Sequence, residues 1–252
     1  MSGRRVRAAT AVAAAFSLCG VCLASGPLRA DDDENSRALL FSGRDLWRHG
    51  AFAYGGLLIA PGGLEQDGLM LKLLLAGGRY AYSAGALGGE RVTVDNWQLH
   101  VMPGWRIKRG TLETRFFFGA DLQNHRPSPD DPDNRLAGRR FGLRFAFESW
   151  TEPTPESVVI ADWALSSVGA TSGGRLAYGL RPLEGALGNF YVGPEAQYFV
   201  SEPYRQMRLG LHVTAMKTEA YEWSAAGGWA GDTDGRAGVY LRLGLGRRLP
   251  AD

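Results

Sequence analysis

Phe141-Gly142-Leu143-Arg144-Phe145-Ala146-Phe147-Glu148 decides the fold. Bulky apolar residues occupy every second position, and glycine, arginine, alanine and glutamate fill the places between. Successive side chains of a strand point to opposite faces, so such a segment is apolar on one side and charged or small on the other. The same rhythm returns along the chain. Leu112, Thr114, Phe116, Phe118 and Ala120 alternate with Glu113, Arg115, Phe117, Gly119 and Asp121. Met207, Leu209, Leu211 and Val213 alternate with Arg208, Gly210, His212 and Thr214, and Val239, Leu241, Leu243 and Leu245 with Tyr240, Arg242, Gly244 and Gly246.

Alternation is shared by soluble β-sandwiches and membrane barrels. Three details favour the barrel. The apolar face runs four or five positions, enough for the roughly 9–11 residues with which a tilted strand crosses a bilayer. Full charges mix with glycine on the other face, as in a crowded lumen. Aromatics fall near segment ends, where interfacial girdles lie: Trp47, Trp97, Trp105, Trp150, Trp163, Trp223, Tyr80 and Tyr204. The expected fold is therefore all-β, an antiparallel up-and-down transmembrane barrel. About twelve strands are expected, near 38–47, 50–60, 68–82, 91–103, 110–122, 139–151, 156–167, 173–183, 189–200, 204–217, 219–230 and 237–248. The first two alternate weakly, which leaves a count of ten open.

Composition agrees. Of 252 residues, 45% are hydrophobic and 11% aromatic, which excludes disorder, and the 35 glycines argue against a mainly helical protein. Residues 1–30 read as a cleaved signal peptide: Arg4, Arg5 and Arg7 precede an apolar run from Ala8 to about Leu23, and small residues reach Ala30. The barrel domain is then 31–252. Cleavage removes four arginines and no acid, so a net charge of +2 becomes about −2, and the slight basicity gives no ground for a nucleic-acid partner. Cys19 and Cys22 leave with the leader, so the mature chain has no cysteine.

A periplasmic start sorts the connections. Arg48-His49-Gly50, 83–90, the long 123–138, 168–173, Ser201-Glu202-Pro203 and Gly231 to Arg236 are expected outside. Pro61 to Asp67, Lys108-Arg109, Glu152 to Pro155, Leu183 to Gly188 and Lys217-Thr218 are expected inside. The chain ends Leu249-Pro250-Ala251-Asp252, without the terminal aromatic frequent in such barrels.

No catalytic constellation emerges. His49, His100, His125 and His212 are scattered, with His125 placed on the outer loop, His49 in a turn, and His100 and His212 on the polar face. No spacing fits a metal site, and no cofactor is expected. The acidic stretches 128–134 and 232–235 have oxygen ligands for calcium but serve equally as turns. More telling are the lumen-facing candidates Lys72, Glu113, Arg115, Asp121, Arg144, Glu148, Asp162, Glu195, Arg208, His212 and Arg242. Five are basic and five acidic, besides the histidine. A selective ion pore would carry one sign; a balanced set points to ion pairs bracing the interior, or to a polar path for an uncharged sugar polymer.

Several segments resemble the bacterial cellulose biosynthesis protein BcsS family. They are Leu40-Phe41-Ser42-Gly43 through Trp47-Arg48, Ala51 to Gly56, Leu71-Lys72-Leu73 with Gly77 to Tyr80, Pro103-Gly104-Trp105-Arg106, and Phe118 to Asp121 with Ser128 to Pro132. Further along come Glu152 to Pro155, Tyr191 to Glu195, Tyr204-Arg205-Gln206, Glu222 to Ala230 and Asp234-Gly235-Arg236. The resemblance covers nearly all of 38–248. It implies an outer-membrane protein of cellulose production and export, and it carries over no catalytic residue. The expected function is accordingly non-enzymatic: scaffolding or passage of glucan at the outer membrane, with lipid, glucan and other secretion components as partners. The alternatives are a barrel enzyme acting on lipid or glucan, with carboxylates such as Asp121 or Glu195 as acid or base, and a purely structural barrel recruiting a periplasmic partner.

Overall fold

The computed structural model describes residues 36–182, 190–201, 204–218 and 220–249. The expected signal peptide, the Leu183–Gly188 connection, the centre of the 201–203 turn and the last three residues lie outside the described residues. Twelve antiparallel strands form one closed barrel: β1 (Ala38–Trp47), β2 (Gly50–Ile59), β3 (Gly68–Ala84), β4 (Glu90–Arg109), β5 (Leu112–Ser128), β6 (Gly138–Thr154), β7 (Ser157–Ser166), β8 (Thr171–Leu180), β9 (Tyr191–Ser201), β10 (Tyr204–Thr218), β11 (Tyr221–Asp232) and β12 (Ala237–Leu249). Each strand pairs with its neighbour in sequence, and β1 closes the sheet on β12 from Ala38↔Leu249 to Trp47↔Tyr240. Closure leaves no edge with unpaired backbone groups, the condition a sheet must meet in hydrocarbon.

Both ends of the sheet, Ala38 and Leu249, lie at one rim, here the inner rim. Strands β3 to β6 are the longest and rise highest at the outer rim. The expected 123–138 loop shrinks accordingly, because β5 runs on to Ser128 and pairs with β4 as far as Thr93. His125, expected on that loop, is instead a fully buried strand residue inside the barrel.

The alternation predicts which side faces what. Leu69, Leu75, Phe118, Phe141, Leu176, Leu209, Leu211 and Val239 stand exposed on the outer wall, Phe141 at 73%. Charged and polar side chains lie buried inside. That inversion of a soluble protein is the arrangement of a barrel in lipid. Lumen glycines fit the same geometry: a Cβ at Gly119 would stand 2.1 Å from the Val101 carbonyl oxygen, and one at Gly210 2.3 Å from that of Gly227.

The aromatics divide. Trp97, Trp105, Trp163 and Trp223 sit on the outward face, joined by Trp229, which the sequence reading did not single out. Trp47 and Trp150 do not belong to a lipid girdle. They share the parity of Asp45 and of Glu148, point inward and are buried, as are Tyr80 and Tyr204.

Candidate functional site: a filled lumen with two covers

At mid-barrel, Lys72 on β3 reaches Glu148 on β6 and donates a hydrogen bond to it. Its ammonium also lies 5.3 Å from the Phe41 ring centre and 5.2 Å from that of Phe117. Arg115 stands 3.8 Å from Glu148 and pairs with Glu113 at 2.6 Å; Glu113 in turn accepts from Arg106 at 2.7 Å.

The opposite wall carries a second network. Glu195 accepts from Arg175 Nε (2.9 Å), Arg242 (2.7 Å) and the Tyr240 hydroxyl (2.9 Å), and Arg175 also lies 3.6 Å from Asp162. Arg208 on β10 donates from one terminal nitrogen to both oxygens of Asp45 on β1, at 2.9 and 2.8 Å, a charge-assisted contact. Asp121 faces His100 (3.2 Å) and Arg144 (3.9 Å) and accepts from Gln123 and the Ser166 hydroxyl. His125 contacts Gln123 at 2.9 Å, and His212 meets the Tyr178 carbonyl at 3.2 Å.

All eleven lumen-facing candidates are buried inside the barrel. Asp45, Arg106 and Arg175 join them, and each was legible from parity: Asp45 alternates with Leu46, Arg106 with Trp105, Arg175 with Leu176. Asp45, Glu113, Asp121, Glu148, Asp162 and Glu195 each have a cationic or imidazole partner within 4 Å. A buried charge is tolerated on this condition, since leaving one unpaired costs several kcal/mol. Side chains fill this cross-section: Arg144, Lys72, Tyr240 and His100 are each at most 2% exposed.

Both mouths are covered. At the inner rim the β2–β3 connection folds beneath the barrel and buries Ala60 and Leu64. The Leu64 amide donates to the Ser36 carbonyl at 2.8 Å, and Arg106 donates to the Leu64 carbonyl. Glu65 ties the two sides of the rim together, accepting from Lys108 on β4 (2.8 Å) and Arg248 on β12 (2.7 Å). Partial burial opposes its ionisation, but hydrogen bonds from Lys108 and Arg248 outweigh it and hold the carboxyl at a pKa of about 2.

At the outer rim the 129–137 connection bends inward. Tyr82 donates to Asp131 at 2.6 Å, Asn134 donates to the Tyr82 hydroxyl at 3.1 Å, and Leu136 is buried beneath. Arg236, held by Asp232 at 2.8 Å, extends over Trp47 and Tyr204 to the Ala81 carbonyl on β3. The two acidic stretches considered for calcium thus spend Asp131 and Asp232 on these latches. Among the described residues no group of three or more His, Cys, Asp or Glu side chains is arranged to hold a metal ion.

Solved structures with this architecture are outer-membrane proteins. An outer membrane channel from Pseudomonas putida F1 is 12% identical, with 89% of this chain and 99% of that chain covered, at a TM-score of 0.56. LpxR from Salmonella typhimurium (11% identity, 84% and 100% covered, TM-score 0.48) and the KdgM porin (10%, 84% and 99%, 0.44) superpose more loosely. At such identities the likeness speaks for the fold alone. The comparison with curated protein sequences finds no match. The family model for cellulose biosynthesis protein BcsS matches residues 39–249, nearly the whole sheet from β1 to β12. With its closed wall, apolar outer belt and that match, the chain is an outer-membrane β-barrel belonging to the cellulose biosynthesis protein BcsS family.

Proposed function

We propose that this barrel serves cellulose secretion as a non-catalytic scaffold in the outer membrane, and that glucan does not travel through its lumen. One observation carries the reading: the mid-barrel cross-section is filled by ion-paired side chains between two folded covers. A glucan chain is far wider than a water molecule, and residues such as Arg144 and His100 expose almost nothing even to water. Opening a path would require separating several buried pairs at once, each costing several kcal/mol. Pairing of the carboxylates also supports a non-catalytic role, because a general acid or base needs a carboxyl free to exchange its proton with substrate.

The reading places contacts with secretion partners at the rims. The outward tryptophans 105, 163, 223 and 229 lie on the lipid-facing wall, so stacking of sugars on that belt is not part of it. A locked barrel tests the proposal. Cysteines introduced at Ser36 and Leu64, whose backbones already hydrogen-bond, would fasten the inner cover to the wall. Cells relying on the oxidised variant should secrete as much cellulose as cells with the wild-type barrel. Loss of secretion under oxidation, restored by reduction, would establish passage through the lumen instead.

A further inference from the structure

Arg44 is out of place by the rules of this wall. It shares the outward face of β1 with Leu40 and Leu46, and its register partners are Leu243 on β12 and Ala53 on β2. It is exposed, and among the described residues it makes no hydrogen bond or ion pair. A bare cation on a lipid-facing surface is unfavourable to a degree that depends on depth. Arg44 lies three residues below the outer end of its strand, within reach of the level where lipid headgroups begin.

Beside it the wall is hollow. Ala53, Gly55, Leu75, Gly77 and Trp97 line a shallow groove of about 370 Å³ on the outer face. Arg44, Ala53, Gly77 and Trp97 form one register row, so the arginine and the indole flank a floor of small residues. Two strand spacings, about 10 Å, separate the strand of Arg44 from that of Gly77. Packing within the protein does not demand glycine at the lower end of this floor. A Cβ at Gly55 would meet nothing nearer than 3.8 Å, in contrast to the lumen glycines. Trp97 is fixed as the far wall: with its amide oxygen turned toward them, Asn124 accepts from Trp97 Nε1 at 3.1 Å and from Arg126 Nε at 3.3 Å. The next arginine along the rim, Arg79, is already neutralised by Asp95 through two bonds of 2.6 and 3.0 Å.

We propose that Arg44 and this groove form a binding site for a phosphorylated, multiply acylated glycolipid of the outer leaflet, the lipid A class, with a phosphate on the guanidinium and an acyl chain lying over Gly55. The phosphate supplies the anion Arg44 lacks, in the forked geometry guanidinium and phosphate share. The groove takes a chain that a flat wall of leucines would leave undocked. The site stands apart from the lumen and does not depend on how the barrel serves secretion.

Full-length barrel in phosphatidylcholine nanodiscs, titrated with bisphosphorylated lipid A and read by native mass spectrometry, tests the assignment. One lipid A should remain bound per barrel. Removing the lipid's phosphates should weaken binding at least tenfold, as should Arg44→Gln, whereas Arg205→Gln, on β10 and three strands away from β1, should leave it unchanged. Gly55→Leu should weaken binding by obstructing the chain alone. Arg44→Lys, which keeps the charge, should retain part of the affinity, and the heat-modified gel shift of each variant reports that it has folded. Equal retention of the phosphorylated and dephosphorylated lipids, or wild-type binding by Arg44→Gln, would overturn the site. Equal binding of phosphatidylglycerol would overturn the assignment to lipid A.

Discussion

Gly119 and Gly55 are strand glycines in the same closed sheet, and their surroundings differ. A methyl group at Gly119 would press into the Val101 carbonyl, 2.1 Å away, whereas at Gly55 it would make one ordinary contact, with the Phe41 carbonyl oxygen at 3.8 Å. The difference extends to the whole of the two faces. Inside, volume and charge are matched residue by residue: Lys72 with Glu148, Arg208 with Asp45, Arg175 and Arg242 with Glu195. Outside, leucines and phenylalanines need only be apolar, because lipid chains adapt to whatever surface they meet. The inner face of this barrel behaves as the core of a folded protein, and the outer face as a solvent boundary.

The sharpest way to break that contrast is to remove one partner of an interior pair. Glu195→Ala leaves Arg242 without a carboxylate and Arg175 with only the more distant Asp162, so unfolding in lipid vesicles by urea titration should show a loss of about 3–5 kcal/mol. Gly119→Ala should cost about 1–3 kcal/mol through overpacking in the same assay. Gly55→Ala should stay within about 0.5 kcal/mol of wild type, the range of a surface substitution that presses on no neighbour. Equal effects at the two glycines would erase the distinction between the faces.

Effects at the rims should be smaller than those of the interior substitutions. Glu65→Gln removes the ionic tie between Lys108 and Arg248, worth about 0.5–1 kcal/mol for a partly exposed network. Hydrogen exchange at the Leu64 amide should quicken by a few fold while exchange in the strands is unchanged. Glu65 has its carboxyl pKa lowered from 4.5 to about 2, so its contribution is complete above pH 4.5 and fades as the pH falls toward 2. Exchange at Leu64, corrected for its intrinsic pH dependence, should rise over that window in wild type and stay level in the Gln variant.

Alternation was legible wherever the lumen is charged. Asp121 in β5, Arg144 in β6, Arg208 in β10 and Arg242 in β12 each lie between outward apolar residues, and the face of each follows from parity. Near the rims the pattern fades for a physical reason: the interior there is apolar or aromatic too. Leu39 and Phe41 face inward at the start of β1, which is why that strand alternates poorly despite its ten-residue ladder with β12. Trp47 and Trp150 stand near strand ends, as girdle tryptophans do, but their parity with Asp45 and Glu148 turns them inward. The covers were not legible at all. That Glu65 reaches Arg248, or Arg236 the Ala81 carbonyl, depends on which strands the closed sheet brings side by side, and local sequence carries no signal for it.

The central claim is that the interior is a packed core and not a conduit, and single-barrel conductance in planar bilayers tests it most directly. Wild-type protein should insert without producing ion-conducting steps at neutral pH. A Lys72→Ala, Arg115→Ala, Glu148→Ala variant with residues 62–66 shortened should produce them, because it removes both the central pairs and the inner cover. Steady, porin-sized conductance from the wild-type barrel would contradict the account.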